Sequence, residues 1–465
     1  MTRCLTVLLA AAALVACGED AVDPPADASE TTASETTASE TTASETTASE
    51  TTASETPPTV NTAAGIPGAT AVSLQAGVQW LSADDTGRVW LALRDGSVGV
   101  LQGGTYQPAL TVGVSTETIE VIVPPPVLGR DGTLVLAEAI FDNEECKDRG
   151  MLRWVDGTTG QIAERELQEA PAYPLAVATD GTVFAPTIEY KWTSFNGSEF
   201  CTKAQPESTR MAAYSHEVGL LWFLDLDRPP GPAVLSDDDQ TGWFSDRDRS
   251  IVAFDYSGFG QKIWTTAIGE TGTVNLSDPA RGKDNLLFVA GRNTLAAIDG
   301  NTGDLQWEVA VPTTEKLTAA PVIDAAGTVL VMGAIAGSAS NGRRWALFGY
   351  GQTGQLVQSW EAPDEHLHAP TLRQMGPTVL ADGTIITLVG PGSGGANALF
   401  VWRSTGDPTR FEDFDGTQPL ALDNGDVLFG WQDGSLLTAS LSTGGLAPSP
   451  WPRTRGSNRR SGLSP

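Results

Sequence analysis

The sequence predicts an all-β fold made of repeated four-stranded units, and three observations lead there. Gly (50) and Pro (29) together supply about a sixth of the 465 residues, a level suited to short strands joined by many turns. No stretch after residue 20 joins helical apolar periodicity to a long run free of Gly and Pro with a cap at each end. From residue 70 onward one pattern of paired hairpins recurs along the whole chain.

The first half of each unit is an apolar strand, a turn of Asp, Asn and Gly, and a second apolar strand. Clear copies are Ser82–Trp90, Val127–Val135, Leu175–Val183, Val234–Trp243, Val322–Val329, Val379–Ile385 and Leu420–Leu428. A looser copy joins Val274–Leu276 to Leu286–Val289. The second half is another apolar strand, a Gly turn and a strand often ending in Trp. Thr294–Trp307 is the clearest, and Ile251–Trp264, Met151–Gly160, Ala346–Trp360 and Ser435–Gly444 follow the same plan. Asp-Gly and Asn-Gly between apolar runs favour hairpin turns with positive φ. A lone sheet of this kind leaves both faces uncovered, so the units must stack around an axis. An eight-bladed β-propeller is expected over residues 70–465, with seven blades as the alternative count. The Trp that closes a unit has the apolar body to pack between neighbouring blades.

Thr294–Trp307, in which Leu295-Ala-Ala-Ile-Asp299 leads to Thr302-Gly303 and Trp307, resembles the pyrroloquinoline-quinone-type propeller repeat. Pro321-Val322 and Pro377-Thr378-Val379 match the proline that often opens such a unit. Trp451-Pro452, Arg455-Gly456, Asn458, Arg459, Arg460 and Gly462 resemble a segment that flanks these propellers. The tail is expected to take part in ring closure or to pack on an outer edge. The resemblance implies the eight-bladed fold shared by quinoprotein dehydrogenases and the barrel-assembly lipoprotein of Gram-negative outer membranes. Enzymes of that superfamily hold the quinone against an adjacent-cysteine disulfide. This chain has no Cys-Cys pair, so the resemblance is one of blade architecture and a non-enzymatic member is expected.

Residues 1–16 read as a signal peptide: Arg3 gives a positive start, and Leu5–Val15 is an apolar run too short to span a bilayer permanently. Leu14-Val15-Ala16-Cys17-Gly18 resembles the bacterial lipobox, with Cys17 as the lipidated residue. Residues 17–65 form a linker in which Ser-Glu-Thr-Thr-Ala repeats five times. With no large apolar side chain in the repeats, they cannot offset their ordering entropy and are expected to be disordered. Such a coil would span roughly 35–40 Å, enough to hold a domain clear of a membrane. An exported protein, lipid-anchored to the envelope and most simply to the outer membrane, is expected.

The formal charge is −29, which repels phosphate backbones and argues against nucleic acid. No Gly-x-Ser-x-Gly element is present, and the three histidines are His216, His366 and His368. His366 and His368 could share one strand face, yet no third metal ligand is identifiable. Asp237, Asp238 and Asp239, followed by Asp246 and Asp248, are weak calcium candidates. Turn carboxylates in solvent are the simpler reading, and no cofactor beyond structural calcium is expected.

Cys146 and Cys201 lie in insertions of adjacent units and are candidates for a disulfide. Tyr190, Trp192, Phe195 and Phe200 beside them are candidate partner contacts. They would equally serve as a small core for the insertion itself. The function expected is a monomeric envelope lipoprotein whose propeller binds or scaffolds a protein or other ligand without catalysis. The alternative is a quinone-dependent or hydrolytic enzyme using the axial pocket.

Overall fold

The computed structural model describes residue 66 and residues 69–448, except 85, 114, 117–118, 195–200, 247, 258, 270–275, 313–316, 318, 337–342, 363–375, 390–397, 404–407, 412–416, 418, 432, 443 and 446. The side chains of 193, 194, 201–205, 336, 343 and 389 lie outside the description as well. The expected signal peptide, linker, His366, His368, Phe195, Phe200 and the segment from Trp451 onward therefore fall outside the described residues.

Eight separate antiparallel sheets follow one another along the chain. Blade five shows the plan, with strands Ala280–Arg281, Leu286–Ala290, Thr294–Asp299 and Leu305–Ala310 pairing in chain order. Equivalent sheets occupy 78–111, 127–167, 176–226, 234–267, 322–361, 378–411 and 420–440. The first strand of blade five is Ala280–Arg281, later than the expected Val274–Leu276, because Leu276 lies on the connection and is buried under blade five's core. The described residues contain no α-helix, only a three-residue 3-10 turn at Lys283–Asn285.

Side chains alternate between the two faces of each sheet, and this alternation holds the ring together. In blade two, Leu134 and Leu136 pack with Trp90, Ala92 and Val98 of blade one. The intervening Val135 and Ala137 pack with Val177, Val183 and Ala185 of blade three. The same rule joins blade three to four, four to five, five to six, six to seven and seven to eight. Leu420, Leu428 and Leu436 of blade eight then meet Val78, Leu81 and Leu91 of blade one. Every blade is covered on both faces, so the ring is closed with eight members.

The tryptophans of the outer strands dock as expected. The Trp264 indole Nε1 donates to the carbonyl of Gly300 (3.2 Å), and Trp307 donates to the carbonyl of Gln352 (2.6 Å). Their rings lie over Gly303 and Gly354, where an added Cβ would sit 2.7 and 2.9 Å from indole carbons. Trp222 lies over Gly260 in the same way. In each case one blade's outer strand locks onto the third-to-fourth-strand turn of the next.

Closure differs from the expectation. The fourth strand of blade eight is Thr70–Ser73, which pairs from Thr70↔Thr438 to Ser73↔Ser435. Ser435–Gly444 therefore does not supply two strands of its own. After Ser440 the chain turns to the first strand of blade seven: Ala381 N–H donates to Gly445 O, and Ala447 N–H to Val379 O, both at 2.9 Å. The opposite edge of Val379 is taken by Ile385, so Gly445 and Ala447 lie on the axis side. An N-terminal strand closes the ring because it ties the first blade to the last, so opening it breaks contacts distant in sequence.

Candidate functional site

Blades two and three depart from the short-stranded plan. Blade two's second and third strands, Leu134–Asp142 and Lys147–Val155, run nine residues each. Blade three's, Val183–Ser194 and Cys201–Ser215, run 12 and 15, against five and six in blade four. The expected insertions are therefore mostly continuous hairpin. Two added strand segments, Ile119–Ile122 and Ala170–Pro171, pair with these extensions.

The extensions build a small core of their own. Ala139, Phe141 and Ala170 are packed by Tyr190 and Trp192. The Phe141 and Tyr190 rings meet edge to face at 5.9 Å and 69°. The buried Asp148 carboxylate accepts from the Tyr190 backbone N–H (2.8 Å) and from Trp192 Nε1 (3.1 Å). Burial pushes the Tyr190 phenol above its usual range. Of the two readings of these aromatics, the structure places Tyr190 and Trp192 in the insertion's own core. Cys146, at the tip of the blade-two hairpin, is disulfide-bonded. The Cys201 backbone opens a blade-three strand.

A cavity of about 220 Å³ opens where blade two's outer strand, Ile162–Leu167, meets blade three's outer strand, Gly219–Leu226. Glu169 in its wall is 5% exposed. Its carboxylate accepts from Thr187 Oγ1 (2.5 Å) and Ser208 Oγ (3.2 Å) and pairs with the Arg210 guanidinium. Arg210 also donates to Asp225 Oδ1 (2.7 Å) and lies 4.5 Å from the centre of the Phe223 ring. Arg165 donates to the carbonyls of His216 (2.9 Å) and Glu217 (3.1 Å). Burial, reinforced by Glu169, pushes the Tyr214 phenol far above neutrality, so it stays protonated. His216 is the one histidine among the described residues, and it sits exposed on a turn. This arrangement suits holding a shape rather than moving a proton.

The outer strand of blade three carries the feature that sequence reasoning missed. Leu220, Leu221 and Phe223 on Gly219–Leu226 are 43–49% exposed, and Val218 just before them is 73% exposed. Ile162 on blade two and Phe259 and Ile263 on blade four extend the patch. These seven account for most of the eleven large exposed hydrophobic residues described, so apolar exposure is concentrated on one sector of the ring. A bulge between Ala213 and Tyr214 leaves Leu221 without a cross-strand mate. The available signal was the run Leu220-Leu-Trp-Phe-Leu224, too apolar for a strand with one solvated face.

The acidic residues have other duties. Asp84, Asp131, Asp180, Asp324 and Asp382 each accept from the backbone N–H two residues on, at 2.8–3.0 Å, in the turn between first and second strands. The calcium candidates turn to separate partners. Asp237 pairs with Arg281 (2.5 Å), Asp238 accepts from Ser236 Oγ (2.5 Å), and Asp239 accepts from the Tyr256 hydroxyl (2.6 Å). Asp246 caps the backbone N–H groups of residues 248–250, and Asp248 pairs with Arg228 (2.9 Å). Among the described residues no three His, Cys, Asp or Glu side chains are grouped to hold a metal.

A closed ring of eight antiparallel sheets, six of four strands and two of five, defines an eight-bladed β-propeller. No family model and no curated protein matches the chain. Among solved structures, a catalytically inactive virginiamycin B lyase from Staphylococcus aureus with quinupristin aligns over 80% of this chain and 99% of its own, at 13% identity and a TM-score of 0.41. A streptogramin B lyase aligns over 80% and 96%, at 14% identity and 0.41. A chain of a mitotic checkpoint complex aligns over 88% and 99%, at 11% identity and 0.43. Likeness at this level says nothing about activity.

Proposed function

We propose that this protein is an exported lipoprotein, anchored through Cys17 to the cell envelope and most simply to the outer membrane, whose propeller binds a protein partner without catalysis. It is a non-enzymatic relative of propellers with pyrroloquinoline-quinone-type repeats. The observation that carries this reading is the apolar sector on blades two to four, set on a ring whose buried charges are committed to internal partners. The lipobox-like Leu14–Cys17 and the acidic repeat linker supply attachment and reach. The disulfide at Cys146 fits an oxidising compartment. The charge of −29 disfavours nucleic acid.

Metabolic labelling with a palmitate analogue, followed by fractionation, tests the anchor. The native chain is expected to carry label and sediment with outer membranes. Cys17→Ala is expected to lose both, and a labelled or membrane-bound Cys17→Ala chain would refute the anchor. Photo-crosslinking in cells tests the partner. A crosslinker at position 259, on the exposed Phe259 of blade four, is expected to capture a protein that one at Gly104, on the outer turn of blade one, does not. Equal capture at both, or none at either, would refute a dedicated binding sector.

A further inference from the structure

Blade three ends in an edge strand that is unusual for this ring. Gly219–Leu226 is the longest of the eight outer strands, and six of its eight residues are Leu, Trp or Phe. Its inner side pairs with Cys201–Ser215, and among the described residues no strand pairs with its outer side. An edge of this kind offers a row of N–H and C=O groups to any extended chain, so proteins usually blunt it with Lys, Pro or shortness. Blade one's outer strand carries Pro108, blade four's carries Lys262, and blade seven's is three residues long. Gly219–Leu226 has none of these devices, and Leu220, Leu221 and Phe223 stand exposed along it.

The charge around the edge narrows the occupant. Glu217 precedes it and Asp227 follows it, Glu166 faces it from blade two, and all three are exposed. Asp225 within it is 69% exposed. The nearby cations are committed: Arg210 to Glu169 and Asp225, Arg228 to Asp248, and Arg165 to two backbone carbonyls. An apolar edge framed by carboxylates complements a strand that alternates apolar and basic side chains.

Resting on the binding-module reading above, we infer that Gly219–Leu226 receives an extended segment of the partner protein, apolar and Lys- or Arg-bearing at alternate positions, as an added outer strand of blade three. Backbone hydrogen bonds would supply the affinity common to such pairings. Leu220, Leu221 and Phe223 would select the apolar positions, and the flanking carboxylates the basic ones.

The test uses the purified full chain and a fluorescent peptide of alternating Val and Lys. Two comparison peptides carry Glu in place of Lys, or a central Pro. The Val/Lys peptide is expected to bind at least about tenfold more tightly than either comparison, and to slow amide exchange in residues 219–226. Leu221→Lys is expected to weaken it about tenfold, and Leu220→Lys likewise. Val357→Lys on the outer strand of blade six, outside the apolar sector, controls for the general loss of apolar surface and is expected to leave binding unchanged. Unchanged far-ultraviolet dichroism keeps each variant interpretable. No binding at about 1 mM, equal binding of the Pro peptide, or insensitivity to both edge variants would overturn strand addition. So would light scattering showing that the edge is already occupied by a second copy. If strand addition fails while capture at position 259 persists in cells, the binding-module reading stands alone; loss of that capture would remove both.

Discussion

At the scale of single residues, the turn glycines show two constraints that sequence cannot separate. Gly87 and Gly303 both have positive φ, +76° and +81°. Around Gly87 nothing lies within 4 Å of an added Cβ, whereas at Gly303 the Trp264 ring lies 2.7 Å away. Gly87→Ala is therefore expected to cost only the backbone conformation, about 1–2 kcal/mol. Gly303→Ala adds overpacking of about 1–3 kcal/mol more. Urea unfolding of the two variants checks the difference, and equal losses would show that the Trp264 contact yields freely. The turn carboxylates give a second expectation. Burial alone would raise the Asp84 carboxyl, but hydrogen bonds from Thr86 and Arg88 and the Arg88 charge hold it below the usual 3.8. Asp382 is likewise opposed by burial and held down by the Thr384 backbone and hydroxyl and by Ser442. A carboxyl depressed by folding stabilises the protein fully above its unfolded value and loses that contribution as pH falls through the folded value. Stability is expected to drop below pH 3.8, and a doubly substituted Asp84→Asn, Asp382→Asn chain to show a shallower acid limb. Identical limbs in urea titrations across that range would refute the assignment.

At the scale of elements, the strand Thr70–Ser73 matters beyond its four residues. It completes blade eight from the other end of the domain, and Leu74 N–H and Val78 N–H continue the tie through Gly434 O and Trp431 O at 2.7 and 2.8 Å. Ile66 adds a buried side chain to the core between blades seven and eight. Removing residues 1–60 is expected to leave the thermal midpoint unchanged. Removing residues 1–74 strips the closing strand and exposes the edge of Ser435–Ser440, and is expected to lower the midpoint by several degrees or prevent folding. Calorimetry of the two truncated chains decides this, and equal midpoints would mean that blade packing alone closes the ring. The existence and order of these elements were legible because the Asp-Gly turns and period-two runs are local signals. The closing strand was not, since Thr-Ala-Val-Ser carries no mark of the strand it will pair with. The same holds for blade five's first strand, Ala280–Arg281, whose two residues are too few to show a period.

At the scale of the molecule, 57 acidic residues face 28 basic ones, an excess borne in part by turns that use Asp to hold backbone N–H groups. Each cap is locally favourable while the carboxylates together repel one another. Screening should relieve the second effect more than it weakens the first. The midpoint is expected to rise by roughly 2 °C between 10 and 200 mM NaCl, as the Debye length falls from about 30 Å to below 10 Å. A flat or falling midpoint would show that the local pairings already compensate the excess.

The candidate site divides along the same line. Tyr190 and Trp192 could be found in the sequence as aromatics in an insertion, but whether they met solvent or Phe141 and Asp148 depended on where the neighbouring blade lay. Leu220, Leu221 and Phe223 were visible as a run of apolar residues; that they lie on a sheet edge depended on no strand among the described residues pairing beyond Gly219–Leu226. The sequence by itself determined the strands, the turns and the need for stacked sheets, because hydrophobic period and turn chemistry act over a few residues. Tertiary structure alone decided which strand closes the ring, which carboxylates meet which cations and which apolar face stays open, because each of these requires groups far apart in the chain to be brought together.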